Sequence, residues 1–482
     1  MRGGSAEPLI AAAPAHGSHG LPQGCALRLH IDNKDRAIMK KNHDVIIAGA
    51  GPAGLAAAHE LAARGARVLL VDLKKDIDRV RRACCANLII EPGTHGESVT
   101  CRDGAFHFAE NNFSVTYQGA ILPLRRSVKV APGGTTLTIC GKSPEGNVAL
   151  SFDKEALLRG MLETAAAHKN IEIMAQTQAL AAENTAVGVT VKLRENGAEF
   201  AASGRYAIAA DGVNSRLVAS LGLNETQRKF FARFMVMACH IEDVDCPYPG
   251  SWITFVGKGQ TRGGRGQIYM CPKPHKGVTD PAVYELTVGV PSLGAQGVSA
   301  GQELDHFMKQ GCFASWFRHA RIVESRAAAL NFYTPLLNPV AGNVIVAGDA
   351  AAFIETYVQG AIMYGRRAAL AIAGQLEAGR GLDDYAAYWG KTFEYNDPRE
   401  IALATQGFGL HVLDDADLDY LFGLTQGDNL RGFVNEFSDP LTVRGALFGH
   451  MEQIERERPE LARTLKRFGE VSVADALQVG AS

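Results

Sequence analysis

The sequence predicts an α/β fold in which a domain of parallel strands and helices is interrupted by an antiparallel sheet and followed by a helical region. Alternating apolar residues with many glycines and prolines predict the antiparallel sheet over 91–149 and 226–334, and helical spacing returns after residue 395. Three short motifs that follow buried apolar runs predict the parallel domain: GAGPAG at 49–54, ADGVNS at 210–215 and GDAA at 348–351.

The first motif lies on a predicted turn between a strand and a helix. The apolar run 44–48 precedes it, and the alanine-rich stretch 55–64 follows it. In this context Gly49 permits a tight turn, Gly51 lets the backbone approach a pyrophosphate, and Gly54 lets the helix pack close to the strand. The pattern therefore predicts a Rossmann-like dinucleotide site at the start of the helix, where N–H groups and the helix dipole favour phosphate.

An acidic residue follows the second predicted strand. This strand covers 66–71 and ends at Asp72, which follows Gly54 by 18 residues. A carboxylate there accepts hydrogen bonds from ribose hydroxyls and repels a 2′-phosphate. These features favour a dinucleotide site over a purely structural turn, but they do not distinguish NAD from FAD.

The other two motifs each place one carboxylate at the end of a predicted strand. One apolar run ends at Asp211 and Gly212, and another ends at Gly348 and Asp349 before a long alanine-rich helix. With all three motifs in this order and spacing, the chain resembles the para-hydroxybenzoate hydroxylase-like superfamily over about residues 43–395. The resemblance implies FAD as the cofactor, with Gly348 and Asp349 at its ribityl and pyrophosphate part and the Asp-Gly pair nearby.

The resemblance also implies a discontinuous domain organisation. An FAD-binding domain is expected over 39–90, 150–225 and 335–395, and the substrate domain over 91–149 and 226–334. Residues 396–482 are expected to form a helical C-terminal region, with helical spacing over 414–424 and 451–468. Residues 1–38 have the composition of a disordered N-terminal extension, and we expect their presence to depend on the choice of start site.

Composition and charge restrict the partners. A formal net charge of −2 gives no electrostatic case for nucleic acid and leaves a peripheral membrane contact open. The nine cysteines form no C-x-x-C pair, which favours reduced thiols in the cytoplasm, and no apolar run approaches the length of a membrane span. No metal site is expected, because histidines such as His240 and His275 show no ligand spacing.

Within the superfamily the chain is similar to the geranylgeranyl reductase group and the related electron-transfer flavoprotein dehydrogenases. The segment 82–88 fits the group's P-C-G-G-G-L type segment at Cys84 and Leu88. The group's Y-x-W-x-F-P motif can be laid on 266–273, where the proline is kept, Tyr269 stands at the tryptophan position, and Gln267 and Cys271 replace the tyrosine and the phenylalanine.

The resemblance suggests two catalytic residues and one further residue for the cofactor. Cys84 would face the flavin and tune it or donate a proton, although a buried cysteine more often only packs. Tyr269 would orient or protonate the substrate, with simple packing as the alternative. The P-x-x-G-x-G loop of the superfamily corresponds to 355–360, where only Gly360 matches, and the following helix start would favour an anionic reduced flavin.

Two enzymatic functions compete on this pattern. The first is a reductase or dehydrogenase that moves hydride between flavin N5 and an apolar unsaturated substrate. The alternative is an FAD-dependent monooxygenase with C4a-hydroperoxide chemistry on a small apolar or aromatic substrate. A flavin-dependent halogenase, whose W-x-W-x-I-P signature is absent, and an electron-transfer flavoprotein are further alternatives. A second glycine fingerprint is missing, so the electrons are expected from an external donor: NAD(P)H, a quinone or a carrier protein.

Overall fold

The protein is described by a computed structural model over residues 39–262, 266–275, 283–292, 299–435 and 438–467. The predicted N-terminal extension, 1–38, and the end of the predicted helical region, 468–482, lie outside the described residues.

The strands of the described residues fall into two large sheets and two small ones. In chain order they are β1 (Met39–Ala48), β2 (Val68–Val71), β3 (Asn87–Leu88), β4 (Val99–Arg102), β5 (Ala105–Phe108), β6 (Phe113–Thr116), β7 (Ile121–Leu124), β8 (Arg126–Val130), β9 (Thr136–Gly141), β10 (Ala149–Phe152), β11 (Ile171–Met174), β12 (Thr177–Thr185), β13 (Gly188–Glu195), β14 (Ala198–Ala209), β15 (Phe230–Glu242), β16 (Ser251–Phe255), β17 (Gln267–Pro272), β18 (Val283–Pro291), β19 (Arg321–Tyr333), β20 (Val340–Ala341), β21 (Val344–Val346) and β22 (Arg431–Gly432).

The helices become more frequent toward the C-terminus. They are α1 (Pro52–Ala63), α2 (Lys154–Ala166), α3 (Arg216–Ser220), α4 (Leu223–Thr226), α5 (Ala300–Gln310), α6 (Tyr357–Ala378), α7 (Leu382–Thr392), α8 (Pro398–Gly409), α9 (Asp415–Leu424), α10 (Asp439–Gly449), α11 (Met451–Glu457) and α12 (Pro459–Lys466). Among the described helices, none combines the length and the apolar composition that a membrane crossing requires.

The first large sheet positions the three motifs. Strands β11, β2, β1, β14 and β21 pair in parallel, and β13 and β12 continue the sheet in antiparallel order. The apolar runs of β1, β2 and β21 are completely buried, as expected for parallel strands covered on both faces. Because the strands are parallel, the motifs that follow β1, β14 and β21 meet at one edge of the sheet.

Helices α1 and α6 cross closely beside this edge. The crossing depends on Gly365, because a Cβ atom at this position would lie 2.1 Å from the carbonyl oxygen of Ala53. The first turn of α1 is thereby held near the Gly-Asp motif that precedes α6.

The second large sheet, called the roof sheet below, has the order β19-β15-β18-β17-β16-β8-β9-β22. One face is apolar and packs against α5, with Phe255, Leu286 and Phe307 in the shared core. The other face carries polar and aromatic side chains. There the Lys273 ammonium donates a hydrogen bond to Asn87 of β3 at 3.3 Å. The roof sheet therefore contributes a polar lining to the space between this face and β3.

Candidate active site

The glycine turn after β1 has the geometry of a phosphate-binding turn. Gly49 has φ +97°, and a Cβ on it would lie 2.3 Å from the Ala210 carbonyl oxygen. A Cβ on Gly54 would lie 1.8 Å from the Gly49 oxygen, whereas a Cβ on Gly51 would meet nothing within 4 Å. Gly49 and Gly54 thus allow close packing of the turn, and Gly51 leaves open space in front of the helix.

The start of α1 offers uncommitted donors. Gly51 is its N-cap, no side chain caps the helix, and no acidic residue lies in its first turn. The first N–H groups of a helix lack intrahelical partners, and the positive end of the helix dipole favours an anion there. The residues present therefore fit the pyrophosphate of a dinucleotide.

Asp72 lies beside this turn and is 8% exposed. Its carboxylate accepts hydrogen bonds from the backbone N–H groups of Ala50 and Lys74, both at 2.7 Å. A carboxylate has about four acceptor positions, so two remain for ribose hydroxyls. Asp72 thus supports the turn and keeps capacity for the predicted ribose contact.

Asp349 connects the Gly-Asp motif to the loop before α6. One oxygen accepts from the backbone N–H and the hydroxyl of Thr356, both at 3.0 Å, and the other accepts from the Arg82 guanidinium at 3.0 Å. Gly348, with φ +68°, places this turn against Ala53 of α1, which a Cβ on the glycine would approach to 3.2 Å. The motif therefore ties together α1, α6 and the segment that contains Arg82.

The Asp-Gly motif contributes mainly a cap and a turn. The Asp211 carboxylate accepts from the Ser215 hydroxyl at 2.5 Å and from the Arg216 N–H at 2.9 Å, at the start of α3. Burial raises the pKa of Asp211, against the effect of these hydrogen bonds. Gly212 has φ +85°, and the Arg82 guanidinium lies 3.6 Å from the position of its missing Cβ. Arg82 therefore borders both aspartate motifs.

The loop before α6 is strained. Ile354 and Tyr357 have φ of 58° and 55°, a left-handed conformation that is costly for side chains of their size. No side chain caps α6, and its first turn has no acidic residue. Gly360 lies one turn into the helix, where a Cβ would come within 2.8 Å of the His95 ring. Gly360 is thus needed for packing, and α6 presents a second open helix start.

Sequence patterns did not indicate Arg228, although it holds the Gly-Asp turn. Its buried guanidinium donates to the carbonyl oxygens of Thr334, Ala350 and Ala352. Burial lowers the pKa of Arg228 to about 10, which leaves it charged at neutral pH. No short motif could have revealed it, because its partners lie more than 100 residues away along the chain.

An apolar cavity of about 210 Å³ adjoins the loop before α6. The loop contributes Glu355, the first residue of α6 is Tyr357, and the roof sheet contributes Trp252 and Tyr269. The far wall comes from the C-terminal region: Ala404, Leu410, Val434, Val443, Leu447, Phe448 and Leu465. The C-terminal region therefore supplies much of the apolar wall of the cavity.

Tyr269, a predicted catalytic residue, lies in this cavity. Its ring stacks on Trp252 with 4.7 Å between centroids and 17° between planes. Burial, reinforced by Cys85 and Glu285, raises the pKa of Tyr269 well above its ordinary value. The phenol therefore keeps its proton at neutral pH.

The two neighbouring cysteines lie in different environments. Cys85 lines the apolar cavity, and burial raises the pKa of its thiol. Cys84, the other predicted catalytic residue, lines a separate polar cleft of about 1360 Å³, with its sulfur 3.0 Å from the Lys154 ammonium. Burial opposes ionisation of Cys84, but Lys154 outweighs it and lowers the pKa of the thiol. The structure thus brings Tyr269 together with Cys85 and not with Cys84 in one cavity.

Comparisons with known proteins agree with this geometry. A family model described as an FAD binding domain matches residues 42–88 and 145–283. The chain is 24% identical to digeranylgeranylglycerophospholipid reductase 1 of Methanococcoides burtonii over 399 residues, covering 80% of this chain and 87% of that protein. It is 28% identical to digeranylgeranylglycerophospholipid reductase 1 of Methanothermobacter thermautotrophicus over 351 residues, covering 71% and 78% of the two chains.

Solved structures support the fold. A geranylgeranyl bacteriochlorophyll reductase-like protein of Thermoplasma acidophilum superposes with a TM-score of 0.66 at 16% identity, covering 89% of this chain and 99% of that chain. A p-nitrophenol 4-monooxygenase of Pseudomonas putida superposes with a TM-score of 0.57 at 15% identity, covering 85% and 97%. The predicted fold class is confirmed, and so is FAD as the cofactor. The chain is an FAD-dependent oxidoreductase that is similar to the geranylgeranyl reductases.

Proposed function

We propose that this enzyme reduces a carbon–carbon double bond in an apolar substrate of the isoprenoid type, with electrons from an external donor. The observation that carries the proposal is the apolar cavity, which joins the loop before α6 to the roof sheet at Tyr269. The names of the curated relatives, which are reductases of digeranylgeranylglycerophospholipids, support the isoprenoid class.

The cavity favours a short prenyl segment. Its volume of about 210 Å³ lies below the roughly 300–1,000 Å³ of ordinary small-molecule pockets. Phe448 and Leu465 close its far wall. We therefore expect shorter prenyl chains to bind better than the lipids named for the relatives.

The residues around the cavity have distinct roles in this proposal. Bound FAD supplies two-electron redox chemistry. Tyr269 holds the proton that a saturated product requires, and its stacking on Trp252 fixes the direction of the phenol. The apolar wall excludes water from the reacting bond. Cys85 adds a second protonated group on the same cavity.

The test is an anaerobic single-turnover experiment. Chemically reduced, FAD-loaded enzyme is mixed with prenyl alcohols of increasing length, and the products are analysed for the gain of two hydrogens. We expect Tyr269→Phe to slow product formation by about 10²–10⁴-fold with unchanged flavin content. Tyr248→Phe is the matched control, because Tyr248 packs against Trp316 at the apolar core of the roof sheet.

The same experiment in oxygenated buffer separates the competing function. A reductase yields the same saturated product in air and without oxygen. In air the amount of product is lower only because some electrons of the reduced enzyme pass to oxygen. A product that contains one oxygen atom more than the prenyl alcohol, formed only in air, would replace this proposal by monooxygenation.

A further inference from the structure

A row of ionisable side chains crosses three adjacent strands of the roof sheet. β15 lies between β18 and β19, and the register pairs His240 directly with Glu285 on one side and with Glu324 on the other. Directly paired residues project from the same face of a sheet. This face borders the polar cleft of about 1360 Å³ described above.

The two glutamates contact opposite nitrogens of the His240 ring. Nε2 lies 3.4 Å from a Glu285 oxygen, and Nδ1 lies 3.5 Å from a Glu324 oxygen. His240 is 9% exposed and Glu285 is 1% exposed, and Nδ1 has no hydrogen-bond partner among the residues that the structure describes. A neutral imidazole carries one proton, so when Nε2–H faces Glu285 the lone pair of Nδ1 faces a carboxylate. A cation between Nδ1 and Glu324 would relieve this repulsion.

A third ligand completes the group. The His275 ring lies 5.5 Å from the His240 ring, nearly perpendicular to it. The ligand atoms of His240, His275 and Glu324 all lie within 4.8 Å of one another. Metal–ligand bonds of about 2.1 Å place neighbouring ligand atoms about 3.0–3.5 Å apart. The distance between His240 Nδ1 and the Glu324 oxygen already lies in this range.

The surrounding residues orient these ligands. Glu285 fixes the tautomer of His240, as a buried carboxylate does for many metal-binding histidines. Arg326 contacts the other oxygen of Glu324 at 2.8 Å, which leaves the first oxygen directed at His240. The arrangement therefore has both the ligands and the supporting contacts of a metal centre.

We infer that His240, His275 and Glu324 bind one divalent transition-metal ion, with Zn²⁺ as the ion that two imidazoles and a carboxylate suit best. The remaining coordination position faces the polar cleft and takes water. The ion would link β15, β19 and the segment that follows β17. No sequence pattern indicates this site, because its ligands come from three separate segments and not from a spaced motif.

The test is zinc binding to tag-free, FAD-loaded protein. Protein freed of metal with a chelator is titrated with Zn²⁺ in a calorimeter, and we expect one high-affinity equivalent. Glu324→Gln and His275→Ala should abolish that equivalent, and Glu285→Gln should weaken it by about 10–100-fold. The side chain of Glu324 is 38% exposed, so its amide variant should fold normally, which flavin content and melting temperature will check.

The control is His168→Ala. His168 and His59 form another histidine pair, with ring nitrogens 3.0 Å apart and exposed, and this variant should keep the high-affinity equivalent. X-ray absorption at the zinc edge should show nitrogen and oxygen ligands without sulfur. Sulfur scattering, loss of binding in His168→Ala, full-affinity binding by His275→Ala, or no bound zinc at all would each overturn the inference.

Discussion

Asp349 uses both of its carboxylate oxygens to hold the cofactor site together. It fixes Thr356 before α6 and Arg82 beside the Asp-Gly turn. Without it the loop before α6 loses its anchor and Arg82 loses its counter-charge. The FAD cradle therefore depends on this side chain more than on either predicted catalytic residue.

We expect Asp349→Ala to be purified largely without FAD, because the strained loop before α6 loses two hydrogen bonds. Cys84→Ala should keep its FAD, since Cys84 lines the polar cleft. The measurement is the ratio of flavin to protein absorbance after gel filtration. A flavin-replete Asp349→Ala protein would contradict the assignment of Asp349.

The Cys84 thiol should ionise at a lower pH than an ordinary cysteine. Because Lys154 favours the thiolate, the alkylation rate of Cys84 should rise with pH through a lowered pKa. Lys154→Met should move this rise to higher pH. Mass spectrometry of the modified peptide, in a Cys85→Ser background, gives the rate at each pH. The control is Lys169→Met, a change at an exposed lysine just after α2, and an equal shift in that variant would refute the pairing with Lys154.

Sequence reasoning predicts glycines and aspartates for the cofactor site but does not indicate the basic residues that the structure places beside them. Gly49, Gly54 and Asp349 are recognisable because each belongs to a short motif with fixed chain geometry. Arg82 and Arg228 act on groups that lie 267 and 122 residues away, so no local pattern identifies them. Nor could the sequence decide which of two adjacent cysteines turns toward the cavity.

At the scale of elements, helices α1 and α6 cross so closely that their contact leaves no room for an added methyl group. Gly365→Ala places a methyl group 2.1 Å from the Ala53 oxygen, so the helices must separate. We expect a loss of about 1–3 kcal/mol in the free energy of unfolding, as for other overpacked cores. Denaturant unfolding of the FAD-loaded protein measures it, and an unchanged midpoint would contradict the close crossing.

Gly390→Ala is the matched control for this substitution. Gly390 lies in α7, and a Cβ there would meet nothing within 4 Å. The same change should therefore stabilise the protein by up to about 1 kcal/mol, the helix propensity difference between the two residues. Opposite signs for the two variants separate the steric effect from the general effect of replacing glycine.

Local sequence signals predict where helices and strands lie better than they predict the residues at which these elements begin and end. The predicted helix over 414–424 is α9, Asp415–Leu424. The helical spacing over 451–468 instead corresponds to two helices, because the residue before a proline disfavours helical backbone and Pro459 begins α12. The strand that ends at the Asp-Gly motif begins at Ala198, since its first half pairs with β13 across a hairpin.

For the whole molecule, a buried ion pair joins the roof sheet to the C-terminal helices. Lys129 of β8 binds Asp439 at the start of α10, and their side chains are 9% and 14% exposed. Lys129→Met should lower the free energy of unfolding by about 3–5 kcal/mol, because it leaves a buried carboxylate without a partner. The double variant Lys129→Met/Asp439→Asn should recover most of this loss. Thermal unfolding checks both, and equal melting temperatures for the two variants would contradict the pairing.

The arrangement of the two large sheets could be predicted only by resemblance. Composition and periodicity give strands and helices, but not which distant segments share a sheet. The roof sheet, for example, combines strands from 126–141, 230–333 and 431–432, and pairings of such separation leave no local signal. The apolar cavity depends on these pairings, so its lining residues could not be identified from the sequence either.

The position of the cavity wall along the chain has a consequence for biosynthesis. All three predicted cofactor motifs have left the ribosome once α6 has emerged from it. The far wall of the cavity begins only near Ala404, and β22 joins the roof sheet at Arg431–Gly432. A nascent chain can therefore form the cofactor sheet while the cavity is still open to water and oxygen. The order of synthesis therefore allows the cofactor to bind before the reaction space is enclosed.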